Sequence, residues 1–223
     1  REKIEISIAK SRKIRGGNYV QIATVDPTSL EPRCRTVVFR GFLKPHQSES
    51  NNNDEQQKYV QPTIMKMITD KRSNKFQEVT QNNNDNINKF TNSAEMVWWF
   101  SKSSEQYRIR GQLKFVGEDE LDEYLLQCIK VQWCNLSEHA REHFHREAPG
   151  LCYPVGDSEE ASLQHKIPAG GRDDDGKVLP PPSTFLLMLL YPKRCDYLRL
   201  GDNYRQIDDL CEDGQWKYSR VNP

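Results

Sequence analysis

Tyr19-Val-Gln-Ile-Ala-Thr-Val25, then Asp26-Pro-Thr-Ser29, then Cys34-Arg-Thr-Val-Val-Phe-Arg-Gly-Phe-Leu43 is the stretch that decides the fold. The first and last runs are rich in β-branched and apolar residues, and Asp-Pro-Thr-Ser between them is turn chemistry, so the three pieces read as a hairpin. Working outward, similar short runs predict strands at 63–69, 95–101, 107–116, 185–191, 195–200 and around 216–221. Apolar residues at helical spacing predict helices over 2–15, 121–133 and 137–144, and Ser73 reads as the N-cap of a helix running to about Thr80. Asn-, Gln- or Gly/Pro-rich stretches at 46–61, 81–93 and 156–182 read as flexible loops. Many short strands with few helices give a mainly β (β+α) class, a barrel-like core with peripheral helices. The expected organisation is a single domain, 1–223.

Lys+Arg and Asp+Glu both number 32, so no whole-chain field draws nucleic acid or an anionic membrane, and any anion site must be local. The longest apolar run, 185–191, is too short to span a bilayer. No export signal is legible, so a cytoplasmic protein is expected. The six cysteines (Cys34, Cys128, Cys134, Cys152, Cys195, Cys211) form no CxxC pair and read as free thiols.

Three segments carry candidate chemistry. Arg33-Cys-Arg-Thr-Val-Val-Phe-Arg40 offers guanidinium forks, a hydroxyl and backbone amides, the groups that hold a phosphate and the polar edge of a flat heterocycle. Period-2 geometry puts Arg35 and Arg40 on opposite faces unless a bulge intervenes. A solvated strand end with snorkelling arginines explains the same residues. Thr69-Asp-Lys-Arg-Ser73-Asn-Lys75 places hydroxyls and cations at a helix N-terminus, a phosphate seat or simply a capped surface helix. Gln106 offers a donor and an acceptor to a ring such as a flavin's pyrimidine. His139 and His143 stand four apart, a spacing zinc sites use, yet no HExxH or third ligand accompanies them, so no metal is expected. Trp98, Trp99 and Phe100 lack a basic stripe and read as core.

Taken in order, 19–25, Arg35-Thr-Val-Val-Phe-Arg-Gly-Phe42, Thr69 with Ser73 and Lys75, Ala94-Glu-Met-Val-Trp-Trp-Phe100, Glu105-Gln-Tyr-Arg-Ile-Arg-Gly111 and Trp216-Lys-Tyr-Ser-Arg-Val-Asn-Pro223 resemble the pyridoxamine 5'-phosphate oxidase family. Trp133-Cys-Asn-Leu-Ser137, Ala140-Arg141, 144–150, 185–190 and Asp196-Tyr-Leu198 resemble its plant, fungal and cyanobacterial branch. The resemblance implies a six-stranded FMN-binding split β-barrel, a homodimer with flavin at the subunit interface, acting as an oxidase on a small phosphorylated substrate. It assigns Arg35, Thr36, Val37, Val38, Phe39 and Arg40 to the flavin ring and phosphate. Ile68, Thr69, Ser73 and Lys75 go to the phosphate and ribityl chain, Gln106 to the ring, and Arg205 to a contact from the partner subunit. The sequence departs from the family at Asn74, where an Arg is usual and Arg72 stands nearby. It departs again at Leu198, in the place of an aromatic that covers the flavin, and at 203–206, where an Arg-Leu-His substrate motif is missing. The implied reaction is oxidation of pyridoxamine or pyridoxine 5'-phosphate. The other readings are an FMN-dependent reductase or oxidase of another small substrate, and a non-catalytic FMN-binding protein.

Overall fold

The computed structural model describes residues 1–44, 63–80, 92–152 and 168–223. Within them the order is α1 (Glu2–Ser11), β1 (Tyr19–Val25), β2 (Pro32–Val38), β3 (Met65–Asp70), α2 (Asn74–Thr80), β4 (Ser93–Phe100), β5 (Glu105–Val116), α3 (Glu123–Cys134), α4 (Glu138–Glu142), β6 (Phe185–Arg199), β7 (Tyr204–Leu210) and β8 (Trp216–Val221). The strands form one sheet ordered β2-β1-β4-β5-β6-β7-β8, with β3 paired to β6. The architecture is mainly β as expected, but with eight strands where the resemblance implied six.

The hairpin of β1 and β2 forms, with Tyr19 opposite Val38 and Val25 opposite Pro32. Its second strand stops at Val38 rather than at residue 43. Phe39 N–H donates to Asn18, then Arg40 N–H donates to Lys66 and Lys66 N–H to Gly41, so the chain leaves β1 and takes β3 as its partner. Gly41, at φ +105°, makes that change of direction without the steric penalty a side chain would bring. β6 is a single strand of 15 residues where two had been expected. Pro192 marks the expected break, yet its fixed φ is compatible with extended backbone and costs only one donor. β7 was not anticipated. α3 begins behind Asp122, whose carboxylate accepts from Tyr124 N–H (2.9 Å) and Leu125 N–H (3.3 Å), so Leu121 is outside the helix and exposed. α1 ends at Ser11, short of residue 15, and α4 passes at His143 into a 3-10 turn.

The loop expected at 46–61 lies outside the described residues, as does that at 81–93 apart from Asn92 and Ser93. Of the loop expected at 156–182, the part from 168 onward is described and holds a 3-10 turn at Ala169–Gly171 and a bridge between Arg172 and Val178.

The chain divides into two compact units. One comprises Arg1–Met67, Glu78–Lys114 and Met188–Pro223, the other Ile68–Gln77 and Phe115–Leu187. In the first, the strands alternate between a buried and an open side. Val20, Ile22, Met67, Met96, Trp98, Phe100 and Tyr107 are at most 3% exposed, and their neighbours in sequence face outward. α1 docks on this sheet through Ser7, whose buried hydroxyl donates to Glu105 Oε2 (2.6 Å). In the second unit, Trp133 packs edge-on against Phe144 and Phe185 and donates from Nε1 to the Leu179 carbonyl (2.6 Å). Arg141 is buried there and donates to the carbonyls of Gly170 and Leu136.

Candidate functional site

The open side of the first unit's sheet collects residues that are far apart in sequence. Register places Val38 opposite Tyr19, Trp99 opposite Gln106, and Leu198 opposite Arg205. The β1–β4 pairing runs from Ala23 with Glu95 to Gln21 with Val97, so Tyr19 and Trp99 lie beyond its last pair, at the same end of their strands and on the open side. Leu200 N–H donates to Ser104 (3.0 Å) and Arg108 bonds Asp196, which brings Gln106 opposite Leu198. One row therefore crosses six strands: Val38, Tyr19, Trp99, Gln106, Leu198, Arg205. Their neighbours Val37, Val20, Trp98, Tyr107, Tyr197 and Gln206 are all buried, as a period of two demands.

The Arg35–Arg40 segment splits between the two sides. Thr36 and Val38 face outward, whereas Val37 is buried and Phe39 packs on Trp98 and Phe42 in the core. Arg35 turns inward, donating to Glu78 Oε2 (2.6 Å) and to the Thr24 hydroxyl, which itself bonds the same carboxylate. Glu78 is 7% exposed, so Arg35 neutralises a buried charge. Arg33, by contrast, pairs at the surface with Glu31 and Asp26. Arg40 behaves differently again. Its Nε is buried with no hydrogen-bond partner among the described residues, burial lowers the pKa of its guanidinium, and Tyr19 is its electrostatic neighbour.

Asp196 is nearly buried between two arginines. Arg205 donates to it at 3.0 and 2.9 Å, and Arg108 bonds it as well. Hydrogen bonds from Arg205 hold its carboxyl below the usual carboxylate range despite burial, with Arg108 adding to the effect. Two cations on one anion leave a local excess of positive charge around Asp196. Glu105, behind the open face, also lies below its ordinary value. Burial raises it, but the hydroxyls of Ser103, Ser7 and Tyr197 all donate to it and prevail.

The second unit holds the other cluster. Lys75 Nζ donates to Thr69 Oγ1 (2.9 Å), and the Thr69 and Ser73 hydroxyls are 3.1 Å apart. Ser73 Oγ donates back to the Asp70 carbonyl (2.7 Å), tightening the turn into α2. Arg72, next to the position where Asn74 replaces the family's Arg, is paired with Asp70 and donates to the Arg146 carbonyl. Ile68 lies beside Thr69 on β3 and is half-buried. Two hydroxyls and an ammonium within one turn suit a phosphate monoester.

A cavity of about 520 Å³ in the first unit is lined by Lys3, Phe42, Met65, Tyr107, Tyr197 and Gln206 among others, and by none of the residues expected to hold flavin. Its polar groups answer one another, with Lys3 donating to Gln206 (2.8 Å) and lying over the Tyr197 and Tyr204 rings. His139 and His143 bring their Nε2 atoms to 3.2 Å, but no set of three or more His, Cys, Asp or Glu residues able to hold a metal occurs among the described residues. The six thiols are free.

With this geometry in hand, comparison with known proteins is decisive. The sequence model described as "Pyridoxamine 5'-phosphate oxidase, FMN-binding domain" matches residues 1–117. The chain belongs to that family. Pyridoxine/pyridoxamine 5'-phosphate oxidase 2 of Arabidopsis thaliana is 31% identical over 211 residues, covering 92% of this chain and 87% of the relative. A pyridoxamine 5'-phosphate oxidase-related, FMN binding protein of Nostoc punctiforme PCC 73102 superposes with a TM-score of 0.73 at 28% identity, covering all of this chain and 96% of that one. PhzG of Burkholderia lata 383, solved with tetrahydrophenazine-1-carboxylic acid, shares the fold at a TM-score of 0.66 and 16% identity, covering 100% and 90%.

The fold is thus the split β-barrel of the pyridoxamine 5'-phosphate oxidase family, and the chain is an FMN-binding member of a family of oxidoreductases. The residues present suit FMN. Arg40 keeps a buried N–H with no partner among the described residues, a group that protein interiors normally satisfy. Gln106 supplies a donor and an acceptor on the open face, and Thr69, Ser73 and Lys75 supply phosphate chemistry. Tyr19, Trp99, Arg108, Asp196 and Glu78 were missed by sequence reasoning. Trp99, expected in the core with Trp98 and Phe100, instead stands on the open side at 45% exposure, because alternation lets only every second residue of β4 face inward. No helix among the described residues is long and apolar enough to cross a membrane.

Proposed function

We propose that this protein is an FMN-dependent oxidase of pyridoxamine or pyridoxine 5'-phosphate, producing pyridoxal 5'-phosphate with dioxygen as the final acceptor. The observation that carries this reading is the match to the Arabidopsis oxidase over 92% of the chain. Bound FMN supplies the redox step, taking two electrons from the substrate's C4' carbon. The chain's own groups bind and orient. Thr69, Ser73 and Lys75 hold the cofactor phosphate, with Ile68 along the ribityl chain. Arg40 directs its buried N–H to the cofactor, and the backbone and outward side chains of 35–39 flank it. Gln106 hydrogen-bonds the pyrimidine edge, while Arg205, fixed by Asp196, contributes from a partner subunit of a homodimer. Residues 1–223 act as one functional domain in the cytoplasm.

A second reading has a specific basis. Leu198 stands where the family has an aromatic, and the Arg-Leu-His motif is replaced by residues of β7, where Tyr204 donates to Gln206 (2.6 Å) and Arg205 is held by Asp196. These departures favour a different small substrate, or FMN binding without turnover. Anaerobic mixing of the FMN-loaded protein with pyridoxamine 5'-phosphate separates the readings. Bleaching of the flavin absorbance supports the oxidase, and an unchanged spectrum at saturating substrate refutes it.

A further inference from the structure

The row on the open face contains two aromatic side chains to which neither the fold nor the resemblance assigns a role. Tyr19 is 51% exposed and Trp99 45% exposed, although aromatic rings of this size are normally covered on a central strand. Trp99 is the direct cross-strand partner of Gln106, and Tyr19 lies at the same end of the neighbouring strand β1. Opposite residues in an antiparallel pair have Cβ atoms about 5 Å apart, so a ligand hydrogen-bonded to the Gln106 amide lies within reach of the indole. Leu198, in the row on the far side of Gln106, offers no π surface. Arg40, whose buried Nε has no hydrogen-bond partner among the described residues, lies within electrostatic range of Tyr19.

We propose that Trp99 is the aromatic wall of the flavin ring in this chain, a positioning residue that holds the isoalloxazine between the Gln106 amide and the Tyr19–Arg40 end of the row, in place of the aromatic contact that Leu198 cannot make. The proposal rests on the assignment of Gln106 to the flavin made above. The chemistry is that of a flat, electron-poor heterocycle. It needs an aromatic face to stack on, a donor–acceptor group at its edge, and a cation near its carbonyl oxygens. The row supplies the first as Trp99 and the second as Gln106, and Arg40, just beyond the Val38 end of the row, supplies the third. Trp98, one residue away, is wholly buried with its Nε1 bonded to the Gly17 carbonyl (3.0 Å), so it cannot substitute.

The test is titration of the FMN-free protein with FMN, following flavin fluorescence, in wild type, Trp99→Leu, Trp99→Phe and, as a control on an exposed aromatic elsewhere, Tyr218→Leu. An indole stacked on a flavin quenches its emission. Wild type is expected to quench bound FMN strongly. Trp99→Leu is expected to restore the emission and to weaken binding about tenfold, Trp99→Phe to lie between, and Tyr218→Leu to match wild type. Bound FMN that stays equally quenched and equally tight in Trp99→Leu overturns the proposal while leaving FMN binding intact. Failure of wild type to bind FMN overturns the assignment on which the proposal rests. Light scattering on the same samples adds one more arm: if Trp99→Leu turns a dimer into a monomer before any flavin is added, a second copy of the chain covers the indole and the proposal fails.

Discussion

Replacing Arg35 by alanine tests the part of the site where the structure departs most from a linear reading of the motif. The guanidinium donates to Glu78, which is 7% exposed, and to Thr24, which bonds the same carboxylate. Removing it leaves a buried carboxylate without its counter-charge, a change that costs about 3–5 kcal/mol at fully buried pairs. The Arg35 side chain is itself 22% exposed, so water relieves part of this and about 2–3 kcal/mol is expected here. For a chain of this size that is a fall in melting temperature of roughly 5–10 °C. Arg33, itself 48% exposed and paired at the surface with Glu31 at 62%, should cost under about 1 kcal/mol as alanine. The assay is thermal unfolding by circular dichroism on protein stripped of FMN, because a bound ligand shifts the melting point by mass action. Arg35→Ala combined with Glu78→Gln should recover more than half of the loss. Equal melting temperatures for Arg33→Ala and Arg35→Ala, or a double variant no better than Arg35→Ala, would refute the reasoning. The FMN dissociation constants of the same two variants, measured well below melting, report separately on the ligand role assigned to Arg35. A side chain committed to Glu78 predicts little change in either variant, whereas a loss of tenfold or more for Arg35→Ala alone would mean that the guanidinium reaches the ligand as the resemblance implies.

Three further outcomes are expected. Lys75→Ala should weaken FMN roughly tenfold to a hundredfold while leaving riboflavin binding unchanged, and an equal loss for both ligands in calorimetric titrations would remove the phosphate from this cluster. Gly111→Ala should prevent accumulation of folded protein, because a Cβ there falls on the Tyr191 carbonyl, 2.8 Å from its carbon and 3.0 Å from Pro192 Cα; a soluble variant melting near wild type would contradict that close approach. Glu105 has a folded pKa below its ordinary value of 4.5, so it contributes stability that is complete above that value and lost as pH falls through the lower folded one. Tyr197→Phe, which removes one of its three hydroxyl donors, should therefore shrink the drop in urea midpoint between neutral pH and about pH 3, and an undiminished drop counts against the network.

Legibility followed the physics of each element. β1 was found at its observed limits because β-branched residues fill it and Asp-Pro ends it. β7 was invisible because Tyr204–Leu210 carries two aspartates and a glutamine on a strand that is only half-buried. Pro192 divided β6 on paper, since a missing donor reads as a break until the pairing is known. The site was legible as residue types and not as an arrangement. Alternation alone could not place Arg35 against Arg40, because β2 ends at Val38 and Arg40 bonds β3 instead, and the partner that claims Arg35 is Glu78, 43 positions on, in a helix. Likewise, nothing local to Trp99 reveals that Gln106 stands opposite it or that Tyr19 lies at the same end of β1, because that neighbourhood exists only through the β1–β4 and β4–β5 registers.

The adjacent tryptophans of β4 live under unrelated constraints. Trp98 is wholly covered and stacks on Phe100 with ring centroids 4.9 Å apart, so its identity is dictated by volume and by one hydrogen bond. Trp99 faces the other way, and the interior does not register what stands there. The same division runs along the whole row, which means that Trp99, Gln106, Leu198 and Arg205 can be varied together without opening a cavity behind them. Divergence toward new ligands, whether by natural drift or in a randomised library, has in this sheet a surface it can rewrite one side chain at a time while the barrel's packing is inherited unchanged.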